Sequence, residues 1–324
     1  MILAGDIGGT KTHLALFADD GEGPVELASY RSRELDIVAM IEDFLADRPA
    51  EVVHACLGVA GPVHEGKSSV VNLAWPVHAY RVAQLLDLPS VDLINDLEAN
   101  AHGIPALQPD DFAVLNEGDP DASGNAAVIS AGTGLGQAGL YWDGKRHHAF
   151  ATEGGHADFA PRNEQEFALH RFLAAETGHV SCERVCSGMG LANIHRFLGG
   201  GVSDPGEIAA AALAGTDQRA SEALDLMVSI YGAEAGNLAL KVMATGGVYL
   251  GGGIAPKILP KLAGGSFMRA FADKGRFSTL LERIPVRVML NDKAALLGAA
   301  RFGAAALARA RSIPSDHLTL ARSE

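Results

Sequence analysis

Apolar residues recur at two spacings along this chain, and the changes of spacing predict its elements. Near the start, "ILAGDIG", "HLALFA" and "VELASYRS" have the short apolar or alternating runs of strands. "LDIVAMIEDFLADRP" instead repeats apolar residues three and four apart and predicts a helix. A strand "VVHACLGVA", a glycine-bounded turn, a strand "SSVVNLAW", a helix "AYRVAQLLDL", a strand "SVDLI" and a helix "LEANAHG" follow. Strands dominate early and alternate with helices later.

From residue 125 the opening theme returns, because "NAAVISAGTGLGQAGLYWDG" is again an apolar strand, a Gly/Thr turn and a second strand. The remainder is mostly helical, in "EQEFALHRFLAAETG" and "SEALDLMVSIYGAEAGNLALKVMA", broken by the strand "GGVYLGGG" and a last strand "VRVML". The repeat is one of structure, not a short-period solenoid. Between the halves, "QPDDFAVLNEGDPDASGN" at 108–125 is polar and turn-rich, which puts a domain boundary near its start. The Ala-rich helix after Asn291 is expected to fold back on the first domain.

Composition narrows the class. A chain of 324 residues is long enough for two domains, and 48% hydrophobic with 20% charged residues is ordinary for a folded protein. The net charge of −13 argues against general affinity for nucleic acid or anionic membranes, so an anionic ligand must be held locally by backbone N–H groups or a metal ion. Three cysteines (Cys56, Cys182, Cys186) and a start, "MILAGDIGG", without a basic and apolar leader read as a reduced, cytoplasmic protein. No run approaches 18 apolar residues, so no membrane span is expected.

Three glycine turns carry candidate chemistry. "DIGGTKT" at 6–12 and "SAGTGLG" at 130–136 each join two strands; glycines let backbone N–H groups approach an anion, a Thr hydroxyl adds a donor, and Asp6 could hold a metal-bound water. Either could equally be a plain hairpin turn. In "VYLGGGIAPK" a strand meets three glycines against which a flat base could lie, and Pro256 suits the first turn of a helix.

Two pattern matches fit less well. "GPVHEGKS" (Gly61 to Ser68) has the P-loop spelling, yet the alternating "SSVVNLAWP" after it predicts a β-hairpin where a P-loop needs a helix. "GLGQAG" (Gly134 to Gly139) has the dinucleotide spelling, but "LYWDG" continues as strand and turn.

Polar side chains stand at the ends of apolar runs. In "INDLEA", Asn95 or Asp96 could cap the next helix with Glu98 closing a capping box, or Asp96 could be a base at the end of a buried strand. In "TEGGH", Glu153 and His156 flank a Gly-Gly turn where an acceptor and a donor could meet adjacent sugar hydroxyls, although a lone His is more often satisfied by backbone. Glu183 in "HVSCERVCSG" could be an exposed helical residue, and His147 and His148 in "GKRHHAF" read as a solvated turn.

Taken in order, "GDIGGT", "GVAGPV", "NLAW", "LINDLEA", "ISAGTGLG", "TEGGHADFAP", "CERVCSG" and "YLGGGIAPK" resemble the bacterial glucokinases of enterobacterial type, from residue 3 to about 303. The resemblance implies the two-domain sugar kinase/Hsp70/actin-like (ribonuclease H-like) α/β fold. A small α/β domain at 1–108, completed by a C-terminal helix at 303–324, would face a larger α+β domain at 109–302 across a cleft. It implies ATP-dependent phosphorylation of D-glucose to glucose 6-phosphate, Mg²⁺, and a homodimer. Asp6 with Gly8, Gly9, Thr10 and Lys11 would be the first phosphate and Mg²⁺ element; Gly132, Thr133 and Gly134 the second; and Gly251, Gly252 and Gly253 would lie by the nucleoside. Asn95, Asp96, Glu153, His156 and Glu183 match the glucose-holding positions, with Asp96 as general base.

Two departures matter. Lys11 stands where the enterobacterial enzyme has asparagine, although "GGTK", with its lysine, is usual in the related ROK sugar kinases. The zinc cluster of ROK kinases needs more cysteines than Cys182 and Cys186, so no zinc is expected. Kinases for mannose, fructose or N-acetylglucosamine remain alternatives, and polyphosphate remains an alternative donor. A sugar-sensing repressor would need an N-terminal DNA-binding domain, whereas here the first strand starts at residue 2.

Overall fold

The structure, a computed structural model, describes residues 1–21, 23–48, 50–69, 73 and 75–312. Two compact units form: Met1–Leu107 together with the segment from Lys293, and Gln108–Asp292.

The first unit opens with β1 (Ile2–Ile7), β2 (Lys11–Phe17), β3 (Pro24–Arg31), α1 (Ile37–Ala46) and β4 (His54–Val59). A small sheet of β5 (Val63–His64), β6 (Lys67–Ser68) and β7 (Val77–His78) precedes α2 (Ala79–Leu86), β8 (Asp92–Asn95) and α3 (Asp96–Gly103). The main sheet runs β3-β2-β1-β4-β8, with β1, β4 and β8 parallel and the other pairs antiparallel. β1 reads as a near-continuous apolar run because both its faces are covered. Leu3 and Ile7 join one core with Met40, Ile41 and Phe44 of α1, while Ile2 and Ala4 join another on the opposite face. The helix α1 begins where Asp36 accepts a 3.0 Å bond from Ala39 N–H.

Glu65 and Gly66, with φ of 50° and 68°, turn the β5–β6 hairpin, and Lys67 pairs with both His64 and His78. Lys67 therefore sits in a strand where a P-loop would start its helix. Of the strand expected over "SSVVNLAW", Val70, Val71, Asn72 and Ala74 lie outside the described residues.

The second unit contains β9 (Phe112–Asn116), β10 (Ala126–Ala131), β11 (Leu135–Trp142) and β12 (His147–Thr152), then α4 (Glu164–Thr177), α5 (Gly188–Phe197), α6 (Pro205–Ala214) and α7 (Gln218–Val242). It ends with β13 (Gly247–Gly251), α8 (Leu259–Leu262), α9 (Ser266–Ala272), α10 (Ser278–Glu282) and β14 (Val286–Met289). The sheet runs β12-β11-β10-β13-β14-β9. Its first five strands repeat the order and sense of the first unit: two antiparallel strands folded onto the first of three parallel ones. The long helix α7 is buried against this sheet, with Tyr231 Oη donating to Ile129 O at 3.1 Å.

Three local expectations are corrected. The turn-rich stretch at 108–125 also holds a strand that the pattern did not predict, since Phe112–Asn116 is β9, pairing antiparallel with β14 at the sheet edge. His147 and His148 are not a solvated turn but begin β12, with His147 Nε2 2.9 Å from Gly124 O and His148 Nε2 2.6 Å from Asp143 Oδ2. Pro256 does not open a helix: the chain stays in turns from Gly252, where φ is +79°, and α8 starts at Leu259 with Pro260 in its first turn.

The chain then returns to the first unit through α11 (Ala294–Ser312). This helix lies close against α3, since a Cβ on Gly298 would overlap Ala99 O and one on Gly103 would overlap Ala294 O. The first unit resumes at Lys293, in line with the fold-back expected of the helix after Asn291 and ahead of the 303 that the resemblance implied. Among the described residues no helix is long and apolar enough to cross a membrane.

Candidate active site

In the first unit the candidate residues gather where the parallel strands end. Asp6 near the end of β1 is in register with Gly58 of β4, which is in register with Ile94 of β8. Two strand spacings, about 10 Å, therefore separate the Asp6 and Ile94 backbones, with Asn95 and Asp96 next along the chain. Ligands of open α/β sheets bind at such carboxyl ends. The turn after Asp6 is closed by Gly8 N–H donating to Lys11 O at 3.0 Å, and it leaves Thr10 and Lys11 exposed.

Asn95 is the N-cap of α3. Its Oδ1 accepts from Leu97 N–H at 2.9 Å and Glu98 N–H at 3.4 Å, and its Nδ2 donates to Gly61 O at 3.1 Å. An amide has two donor hydrogens, so this arrangement leaves Asn95 chemistry for one further acceptor. Asp96 Oδ1 accepts from Leu97 N–H at 3.0 Å, and Asn100 Nδ2 holds the Asp96 carbonyl at 3.0 Å. The cap reading of "INDLEA" holds: Asn95 is the cap, and it fixes the first turn, which carries Asp96. Close approach of that turn to β4 depends on Gly58, whose added Cβ would stand 3.0 Å from Ala99 Cβ. Burial raises the Glu98 carboxyl above its ordinary range, opposed in part by a hydrogen bond from the Asn95 backbone.

In the second unit the other candidates surround the ends of β10 and β13 and the start of β11. Ser130 of β10 is in register with Gly251 of β13, and Ile254 N–H donates to Ala131 O at 3.2 Å, tying the two glycine turns together. Gly132 N–H donates to Gly134 O at 2.9 Å, while Gly188 N–H holds Gly132 O at 2.9 Å. An added Cβ at Gly132 or Gly253 would meet nothing within 4 Å, so the backbone there faces open space. Thr133 is exposed.

Leu135 joins these turns to the three remaining acidic and imidazole groups. Its N–H donates to Glu183 Oε2 at 2.9 Å, and its carbonyl lies against Gly155, where no Cβ would fit. Glu183 is thus neither exposed nor helical in the ordinary sense; it is half-buried in the single 3₁₀ turn Cys182–Arg184. Ser187 Oγ donates to Glu183 O at 2.7 Å and caps α5, which anchors that turn. Glu153 and His156 bracket the 3₁₀ turn Gly154–His156, with Nε2 and Oε2 3.7 Å apart and both side chains more than half exposed. Sequence reasoning missed Gly61 and Leu135, which act through backbone atoms and leave no side-chain signal. It also missed Gln137, whose signal was a lone amide in an apolar strand.

Two α/β units with the same strand order, each presenting a glycine turn after its first strand, define the class as a two-domain sugar kinase fold. The Glucokinase family model matches residues 3–306. A glucokinase of Synechocystis sp. is 42% identical, the match covering 92% of this chain and 96% of the relative. One from Yersinia pestis is 37% identical over 93% of this chain and 95% of its own. The crystal structure of a glucokinase from an Antarctic psychrotroph has a TM-score of 0.81 at 30% identity, covering 93% of this chain and 98% of that one. The chain belongs to the glucokinase family.

Proposed function

We propose that this chain transfers the γ-phosphoryl group of ATP to the 6-hydroxyl of D-glucose, with Asp96 as general base. The observation that carries this reading is the carboxyl edge of the first sheet, where Asp96, locked by the Asn95 cap, shares a strand-end platform with Asp6 and its glycine turn. Asp96 Oδ1 accepts from Leu97 N–H, which orients the carboxylate that would take the hydroxyl proton as the new O–P bond forms and the bond to ADP breaks. The second Nδ2 hydrogen of Asn95 would donate to a neighbouring hydroxyl. Glu153, His156 and Glu183 would complete the hold on the sugar through acceptor and donor pairs.

Gly8, Gly9, Thr10 and Lys11 would receive the nucleotide's phosphates, as would Gly132, Thr133 and Gly134, while Gly251, Gly252 and Gly253 would lie by the nucleoside. The open space over Gly132 and Gly253 suits this, since a ligand can come close to the backbone where no side chain intervenes. Mg²⁺, when bound, neutralises charge on the β- and γ-phosphates. Asp6 would hold it through water. Among the described residues no three His, Cys, Asp or Glu side chains group as a metal site. Mg²⁺ takes one or two carboxylates and otherwise water and phosphate oxygens. By family analogy the protein is cytoplasmic and a homodimer; sedimentation of the pure chain would test the dimer.

A coupled ADP-release assay over a sugar panel tests the whole reading. Glucose should be the best acceptor, and Asp96→Asn should still bind it while turning over at least about a hundredfold more slowly. Near-normal turnover in Asp96→Asn removes it from the role of base, and a better acceptor than glucose reassigns the substrate.

A further inference from the structure

The strand β11, "LGQAGLYW", points one amide into the core: Gln137 is 2% exposed. A buried amide is retained only where its polar atoms find partners. Gln137 Nε2 donates at 2.9 Å to Oε1 of Glu234, itself 5% exposed in the middle of α7, and Asn237 Nδ2 donates to the other carboxylate oxygen at 2.9 Å. The opposite side of the Gln137 amide lies flat on Gly154, where an added Cβ would overlap Oε1.

The backbone of Gln137 reaches the same turn by a second route. Its carbonyl accepts from Thr152 Oγ1 at 3.0 Å, and that oxygen accepts from Gly154 N–H at 3.2 Å. The first residue of the turn that carries Glu153 and His156 is therefore held by Gln137 through both side chain and main chain, and the amide is in turn held by α7.

We propose that Gln137, held by Glu234, is a positioning residue that fixes the Glu153–His156 turn and through it the affinity for the sugar. The second half rests on the reading of Glu153 and His156 as sugar-holding groups; the first half stands without it. Misplacing a binding group by about an ångström is enough to weaken binding strongly, so release of the amide should be felt at the sugar and not at the nucleotide.

The test compares Glu234→Leu, which removes the acceptor, with Glu234→Gln, which keeps an oxygen for Gln137. Gln137→Asn, which shortens the reach by one methylene, serves as a milder variant should Glu234→Leu fail to fold. Glu166→Leu supplies a control of equal burial in the same unit, since Glu166 is also fully buried and bonded instead to Arg162. The expected result is a rise of roughly tenfold in KM for glucose in Glu234→Leu and a smaller rise in Gln137→Asn, with KM for ATP unchanged. Glu234→Gln should stay near wild type. Amide hydrogen exchange across residues 153–157 should quicken in Glu234→Leu and Gln137→Asn and not in Glu166→Leu.

Exchange that is unchanged in both Glu234→Leu and Gln137→Asn, or equally quickened in the control, overturns the positioning role. Quickened exchange with glucose KM unmoved overturns the link to the sugar. His156→Ala assayed alongside separates the two failures: if it too leaves glucose KM unmoved, the error lies in reading the turn as sugar-holding.

Discussion

Asn95 shows how one side chain can serve a helix and a site together. Its oxygen satisfies the two N–H groups that open α3, and its nitrogen holds Gly61 O, so the geometry of Asp96 is set before any ligand arrives. Glu98, one turn further on, holds a charge that burial opposes. Because its folded carboxyl sits above the ordinary 4.5, the folded state binds more protons than the unfolded one just above that pH, and stability falls as pH rises through this window. Glu98→Gln should therefore lose less urea resistance than wild type as pH rises above 4.5. A steeper loss in the variant would contradict the assigned cause. At this scale the sequence was legible where a residue type carries its own reason: glycines at turns, an Asn before a helix. It was illegible for pairs such as Gln137 and Glu234, 97 residues apart, because periodicity carries only local information.

Elements were read well where burial sets a clean period and poorly where it does not. The helix α1 follows its apolar spacing, with Ile37, Met40, Ile41 and Phe44 buried. β9 was lost inside a polar stretch because an edge strand needs only one partner: Val114 is exposed while Phe112, Ala113, Leu115 and Asn116 are merely half-buried. Pro256 misled because the turn after Gly252 runs several residues before α8 begins. The contact of α11 with α3 gives a sharper expectation. Gly298→Ala drives a methyl into Ala99 O, a backbone atom that cannot swing aside, and should destabilise by about 2 kcal/mol or more. Thermal or urea denaturation measures it, and a neutral effect would mean that the two helices are free to part.

The whole chain is one sheet plan used twice, with the second unit inserted into the first. The inserted unit has its own large core, and its ends are tied together by Leu290 N–H donating to Asp111 O at 2.8 Å and Asn291 Nδ2 donating to Asp111 Oδ1 at 3.2 Å. A fragment of residues 108–292 should therefore fold alone with a single cooperative urea transition, as inserted domains with neighbouring termini do. A broad, sloping transition would show that its core depends on the rest of the chain. Sequence pattern made this duplication visible, since the strand–glycine turn–strand theme appears at both residue 2 and residue 126. The return was legible as well, in the Ala-rich run after Asn291, although the resemblance put the C-terminal helix of the small domain at 303–324.

Insertion also dictates a timetable at the ribosome. The apolar floor formed by Ile2, Ala4, Phe17 and Cys56 is made first but gains its cover from Ala295, Leu296, Ala299 and Ala300, which emerge only after the whole second unit. For most of translation that floor is exposed while the central segment is free to mature, so a nascent chain stalled before residue 294 should be a client of chaperones and a seed for aggregation.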